Sequence, residues 1–223
     1  MTRPTIVFDL DGTLVDTAPD LIASLNVLFA REGIAPVAPD VGRSLIGGGV
    51  RRLIQRGLSL QGRAFTADHV DALLKDYVAY YAEHIADRSR PFAGVEAALD
   101  ALADNRLAVC TNKLAWLSVR LLDALGLAQR FAAICGPDTF GIQKPDPEVL
   151  RRTIAAAGGD TATAVMVGDS AIDIMTARAA GVPVVAVDFG YTEVPVAELK
   201  PDRIISHFDT LPAAVAALVA GSR

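Results

Sequence analysis

The chain predicts an α/β fold: a parallel sheet covered by helices on both faces, with an all-helical segment inserted directly after the first strand. Short Val- and Ile-rich runs recur at 5–9, 107–111, 131–135, 164–168, 183–188 and 203–205. Between most of them lie segments with apolar residues at helical spacing, and strand alternating with helix is the pattern of a parallel sheet. One interval, from Asp16 to about Arg88, breaks the rhythm and offers no strand.

Taken in order, Thr5-Ile6-Val7-Phe8 reads as a buried strand ending at Asp9. Leu21, Ile22, Leu25, Leu28 and Phe29 then fall on one helical face, with Gly33 as the stop. Further helices are expected near 39–46, 50–58 and 67–87, the last with Tyr77 and Tyr81 one turn apart. Arg90-Pro91-Phe92-Ala93-Gly94 marks the return to the sheet. Helices follow at Val95 to Ala103, Leu117 to Leu125, Pro147 to Ala157 and Ile172 to Ala180. The expected domains are a core of residues 1–15 and 89–223 and a helical cap of residues 16–88.

Composition narrows the function. A chain of 223 residues, 52% hydrophobic and 21% charged, can bury a substantial core. Its net charge is −5 and no basic run exceeds a pair such as Arg51-Arg52, so it lacks the footprint of a nucleic-acid binder. No leader pattern or membrane-length apolar stretch is evident, which makes the cytoplasm the expected compartment. Cys110 and Cys135 sit in strand-like runs and the three histidines are scattered, arguing against a disulfide framework or a zinc site.

Four polar clusters fall where apolar strands end, the edge of a parallel sheet at which ligands bind. They are Asp9 with Asp11, Thr111-Asn112, the loop holding Lys144, and Gly168-Asp169 with Asp173. Each has an ordinary reading when taken alone. Asp-x-Asp-Gly is also a polar turn in which Gly12 supplies a permissive backbone. Thr111-Asn112 is also a helix N-cap, and Lys144 is also a solvated lysine in a proline-bounded loop. A calcium loop is excluded because its sixth position is Leu14, not Gly. Together the clusters assemble a nucleophile, an acid/base, hydroxyl and amide donors, a cation and the hard oxygen ligands suited to Mg²⁺.

In that combination, FDLDGT at Phe8–Thr13, Val109-Cys110-Thr111-Asn112, Lys144 in Lys-Pro-Asp-Pro, and Gly168-Asp169-Ser170 with Asp173, the chain resembles the haloacid dehalogenase-like (HAD) hydrolase superfamily along essentially its whole length. Its phosphoglycolate phosphatase branch is the nearest in pattern. The resemblance implies a Rossmann-like HAD core with a helical cap. It implies Asp9 as a nucleophile forming an aspartyl-phosphate and Asp11 as general acid, then general base. It further implies Mg²⁺ held by Asp9, the main-chain carbonyl of Asp11, and Asp169, with Asp173 in support. Thr111, Asn112 and Lys144 would hold the phosphoryl oxygens, Gly12 would join the substrate site, and Asp16 and Thr17 would stand at the cap hinge.

The dehalogenase branch lacks an acid two residues past its nucleophile, and the sugar phosphomutase branch has an early cap histidine where this chain reads Pro19-Asp20-Leu21-Ile22-Ala23. A phospho-accepting signalling receiver would not carry its aspartate on the first strand or need the insertion. Gly47-Gly48-Gly49 follows a helix-like segment and lacks the phosphate-loop pattern of a nucleotide-binding module. In the cap, Gly48 and Gly49 with Arg43 and Arg51 are candidates for a second anion on the leaving group. The expected partner is a small phosphorylated metabolite, above all 2-phosphoglycolate, with pyrophosphate, a nucleoside monophosphate or a sugar phosphate as alternatives. No nucleic acid or membrane is expected, and the chain is expected to act as monomer or homodimer.

Overall fold

The computed structural model describes residues 3–62, 65–192 and 194–221. The outermost residues of the expected core spans, and residues 63–64 of the expected cap, lie outside that set. The chain opens with β1 (Thr5–Phe8) and β2 (Val15–Asp16), followed by α1 (Ala18–Arg31), α2 (Pro39–Leu45), α3 (Val50–Leu60) and α4 (Ala67–Glu83). It returns through β3 (Arg90–Pro91), α5 (Val95–Ala101), β4 (Arg106–Cys110), α6 (Ala115–Ala124) and β5 (Ala133–Cys135). It closes with α7 (Pro137–Phe140), α8 (Pro147–Ala156), β6 (Ala164–Gly168), α9 (Ala171–Ala180), β7 (Val184–Val187), β8 (Arg203–Ile205) and α10 (Leu211–Gly221).

Six strands form one parallel sheet in the order β5-β4-β1-β6-β7-β8. The period of two splits the sheet into two buried faces. Ile6, Phe8, Val109 and Val167 belong to one apolar cluster, while Val7, Ala108, Cys110 and Met166 belong to the other. The first cluster continues into Leu21, Leu25, Leu53 and Tyr77, so the sheet and the inserted helices share apolar contacts. Phe8 pairs with Val109 on one side and Val167 on the other. The ends of β1, β4 and β6 therefore emerge side by side, at the point where the strand order reverses.

The inserted helices follow local rules. Gly33, at φ 64°, closes α1, with Ile34 N donating to Phe29 O at 2.8 Å and Gly33 N to Ala30 O at 3.2 Å. Tyr77 is fully buried, and its hydroxyl donates to Leu21 O at 2.9 Å, tying α4 to α1. The antiparallel pair β2–β3 has no signature in the sequence, because two residues per strand leave no periodicity to read. It joins the exit to the helices with the return from them. Asp20 reinforces the junction by accepting from Arg88 N, Ser89 N and Ser89 Oγ.

Candidate active site

Asp9 follows β1 but stays in register with the sheet, its N–H donating to Val167 O at 2.8 Å. Lys144 Nζ lies 2.9 Å from Asp9 Oδ1 and 2.6 Å from Asp173 Oδ1, and it is buried. Burial pushes the Asp9 carboxyl up to about 6; Lys144 opposes the shift and Asp173 adds to it. For Lys144, burial alone would favour the neutral amine, but the Asp173 and Asp9 carboxylates outweigh it and hold the ammonium charged. Asp173 is placed by a reciprocal cap on α9, in which its Oδ2 accepts from Ser170 N and Ser170 Oγ.

Asp169 accepts from Thr13 Oγ1 at 3.1 Å and Tyr191 N at 2.7 Å. Burial pushes its carboxyl well up, with Asp173 and Asp9 adding to the shift. Asp9, Asp169 and Asp173 each offer an oxygen within 4.8 Å of the others. Three crowded carboxylates of hard oxygen chemistry, two of which, Asp9 and Asp169, are raised by burial, fit a small divalent cation, which would relieve their repulsion.

Asp11 stands apart from that cluster. Its carboxylate accepts from Thr17 Oγ1 at 2.8 Å and from Lys113 Nζ at 3.0 and 3.1 Å. Thr17 occupies the N-cap position of α1 without a side-chain capping bond, its hydroxyl being given to Asp11 instead. The two acids of FDLDGT thus separate onto two different lysines, Asp9 onto Lys144 and Asp11 onto Lys113.

A pocket joins the strand ends to the helical cap. It is lined by Asp9, Asp11, Thr111, Asn112, Lys113, Lys144 and Asp169 from the sheet side and by Ile46, Gly47, Gly48, Gly49, Val50 and Leu53 from the helices. Gly49 has φ 92°, a backbone that residues with a side chain rarely adopt, and a Cβ there would just touch Asn112 O at 3.4 Å.

Several expected residues take different places. Asn112 lines the pocket but spends its side chain on Lys144, accepting from Lys144 N at 2.9 Å and donating to Lys144 O at 3.0 Å, so its amide clamps the lysine loop. Thr111 and Asn112 are not the cap of α6: that helix starts at Ala115, whose N–H donates to Asp138 Oδ1 at 2.6 Å. Gly12 does not line the pocket. It has φ 85° and backs onto Asp169, where a Cβ would meet Oδ2 at 2.5 Å. Arg43 pairs with Asp16 at 2.6 Å beside the Tyr191 ring, and Arg51 pairs with Asp71; neither lines the pocket.

Lys113 and Tyr191 escaped the sequence reading. Lys113 looks like any lysine at a strand end. Tyr191 donates its hydroxyl to Asp16 at 2.6 Å and accepts from Ala18 N at 2.9 Å, a contact across 175 residues that no local pattern announces.

A strand-end aspartate paired to a buried lysine, acids gathered for a cation, and a helical cap closing over both define a hydrolase class. The model of the haloacid dehalogenase-like hydrolases matches residues 6–187, and the chain belongs to that family. Phosphoglycolate phosphatases are similar to it throughout: that of Mesorhizobium japonicum is 50% identical over 213 residues, spanning 95% of this chain and 94% of that protein. That of Caulobacter vibrioides is 46% identical, spanning 96% and 92%. A crystal structure of "a predicted phosphoglycolate phosphatase" from Haemophilus somnus superposes with a TM-score of 0.89 at 30% identity, covering 96% of this chain and 98% of that one. The chain accordingly falls in the phosphoglycolate phosphatase branch and is a phosphoric monoester hydrolase. Phosphatases of the family generally use a divalent metal. Among the described residues, no helix is long and apolar enough to cross a membrane.

Proposed function

We propose that the chain hydrolyses 2-phosphoglycolate to glycolate and phosphate through an aspartyl-phosphate at Asp9, in the cytoplasm and with Mg²⁺ as the metal. The core is assigned to residues 1–15 and 89–223 and the cap to 16–88. The observation that carries the mechanism is the separation of the two acids: Asp9 faces Lys144 and the acidic cluster, while Asp11 faces Lys113 and Thr17. The names of the similar proteins support the substrate.

An Asp9 carboxylate oxygen attacks phosphorus, and the bond from phosphorus to the glycolate oxygen breaks. Asp11 gives that oxygen its proton, so glycolate leaves as the alcohol. Asp11 then takes a proton from water as the water oxygen attacks phosphorus, which breaks the acyl-phosphate bond and returns Asp9 and inorganic phosphate. Thr111 Oγ and Lys144 face the phosphoryl group, Lys144 being kept charged by Asp173. Asn112 contributes by fixing the Lys144 loop. Asp9, Asp169 and the Asp11 carbonyl would hold Mg²⁺ with Asp173 in support, and the ion would supply charge neutralisation of the phosphoryl oxygens.

A steady-state panel of phosphoglycolate, glycerol phosphate, hexose phosphates, nucleoside monophosphates and pyrophosphate tests the substrate. Phosphoglycolate should lead in kcat/KM by at least about tenfold, as one well-placed charged contact allows. A lead for pyrophosphate or a nucleotide rejects that substrate while leaving the phosphatase assignment intact.

A further inference from the structure

Lys113 lines the pocket, yet the steps above give it no task. It is 4% exposed, its ammonium rests 4.6 Å from the centre of the Tyr81 ring, and both bonds it makes go to Asp11. A buried ammonium is costly without a counter-ion, and Asp11 is the one it has here. Asp11 is also the group needed at the leaving oxygen, so turnover draws it away from this lysine. A leaving group that carries its own carboxylate makes good the loss. The Tyr81 ring beside the ammonium does not line the pocket, so the lysine is the member of this pair that a ligand can reach.

Among the described residues the pocket lining holds one other cation, Lys144, and Arg52 packs against Gly48 without lining the pocket. Lys144 is shared between Asp9 and Asp173, while Arg43 and Arg51 pair with Asp16 and Asp71 away from the pocket. The cap wall, Ile46 to Val50 with Leu53, brings no charged side chain to the pocket. We infer that Lys113 reads the carboxylate of the substrate: its ammonium exchanges Asp11 for the acid of the leaving group, which both selects acid-bearing phosphomonoesters and frees Asp11 for the bridging oxygen. This rests on the phosphoglycolate reading above and moves its specificity from the cap arginines to a core lysine.

The test compares 2-phosphoglycolate with ethyl phosphate, in which a methyl group replaces the carboxylate. Wild type should favour phosphoglycolate in kcat/KM by about tenfold or more. Lys113→Met should lower turnover of both, since Asp11 loses a partner, and should also shrink the ratio to within about twofold, chiefly through the KM of phosphoglycolate. Lys113→Arg, which keeps the charge, should restore a several-fold preference. If the Met variant does not fold, Lys113→Gln carries the same comparison. A Lys113→Met or Lys113→Gln enzyme that keeps the wild-type ratio overturns the inference and leaves the substrate standing. A wild type without the preference overturns both.

Discussion

On the sheet side of the pocket the charged side chains are already committed: Lys144 to Asp9 and Asp173, Lys113 to Asp11, Asp169 to Thr13 and Tyr191. The helical side presents Ile46, three glycines at positive φ, Val50 and Leu53. The sheet wall is therefore a set of preorganised charges fixed at strand ends and on the loop between α7 and α8, which cost no reorganisation when charge develops on the phosphoryl group. The cap wall supplies shape and displaces water, strengthening every electrostatic contact opposite it. The proposed mechanism puts reactivity and charge recognition on the first wall and closure on the second.

The largest effect should come from the sheet wall. Asp11→Asn removes the proton donor and acceptor while leaving Asp9 and Lys144 in place, and kcat should fall by on the order of 10²–10⁴. Inorganic phosphate should still inhibit competitively. A kcat within about threefold of wild type would mean that Asp11 does not move protons, since general acid–base catalysis contributes far more than that.

A smaller effect is expected from the cap. Gly49 has φ 92° and ψ 169°, a region nearly closed to residues with a side chain, so Gly49→Ala should strain the loop by about 1–3 kcal/mol. That should lower kcat/KM by roughly tenfold on phosphoglycolate and ethyl phosphate alike, because the loop offers backbone and no charge. Loss confined to phosphoglycolate would show that the cap reads the carboxylate, and the contrast between the walls would fail.

The sheet was legible because parallel strands are buried on both faces, which forces continuous runs such as Ile6-Val7-Phe8 and Val165-Met166-Val167. The strand-end polar clusters were legible for a related reason: parallel strands deliver their carboxyl ends to one edge, so Asp9, Thr111 and Asp169 had to meet. Contacts made across the chain were hidden. The Lys113–Asp11 pair spans 102 residues and leaves no mark on the local pattern at either end. The arginines misled because charge near a glycine loop suggests an anion site, whereas Arg43 and Arg51 had acids within closer reach. The close fit of Gly12 against Asp169 and the clamp of Asn112 on the Lys144 loop were hidden too, since both depend on neighbours that only the fold supplies.

The central claim is that the Asp9 carboxylate becomes phosphorylated. Mixing the enzyme rapidly with Mg²⁺ and 2-phosphoglycolate, reducing with borohydride and mapping peptides by mass spectrometry tests it directly, since an acyl-phosphate is reduced to an alcohol. Homoserine is expected at position 9 in wild type and unmodified peptide in Asp9→Asn, which should also lack turnover. Reduction at another carboxylate, or sustained turnover by Asp9→Asn, would contradict it.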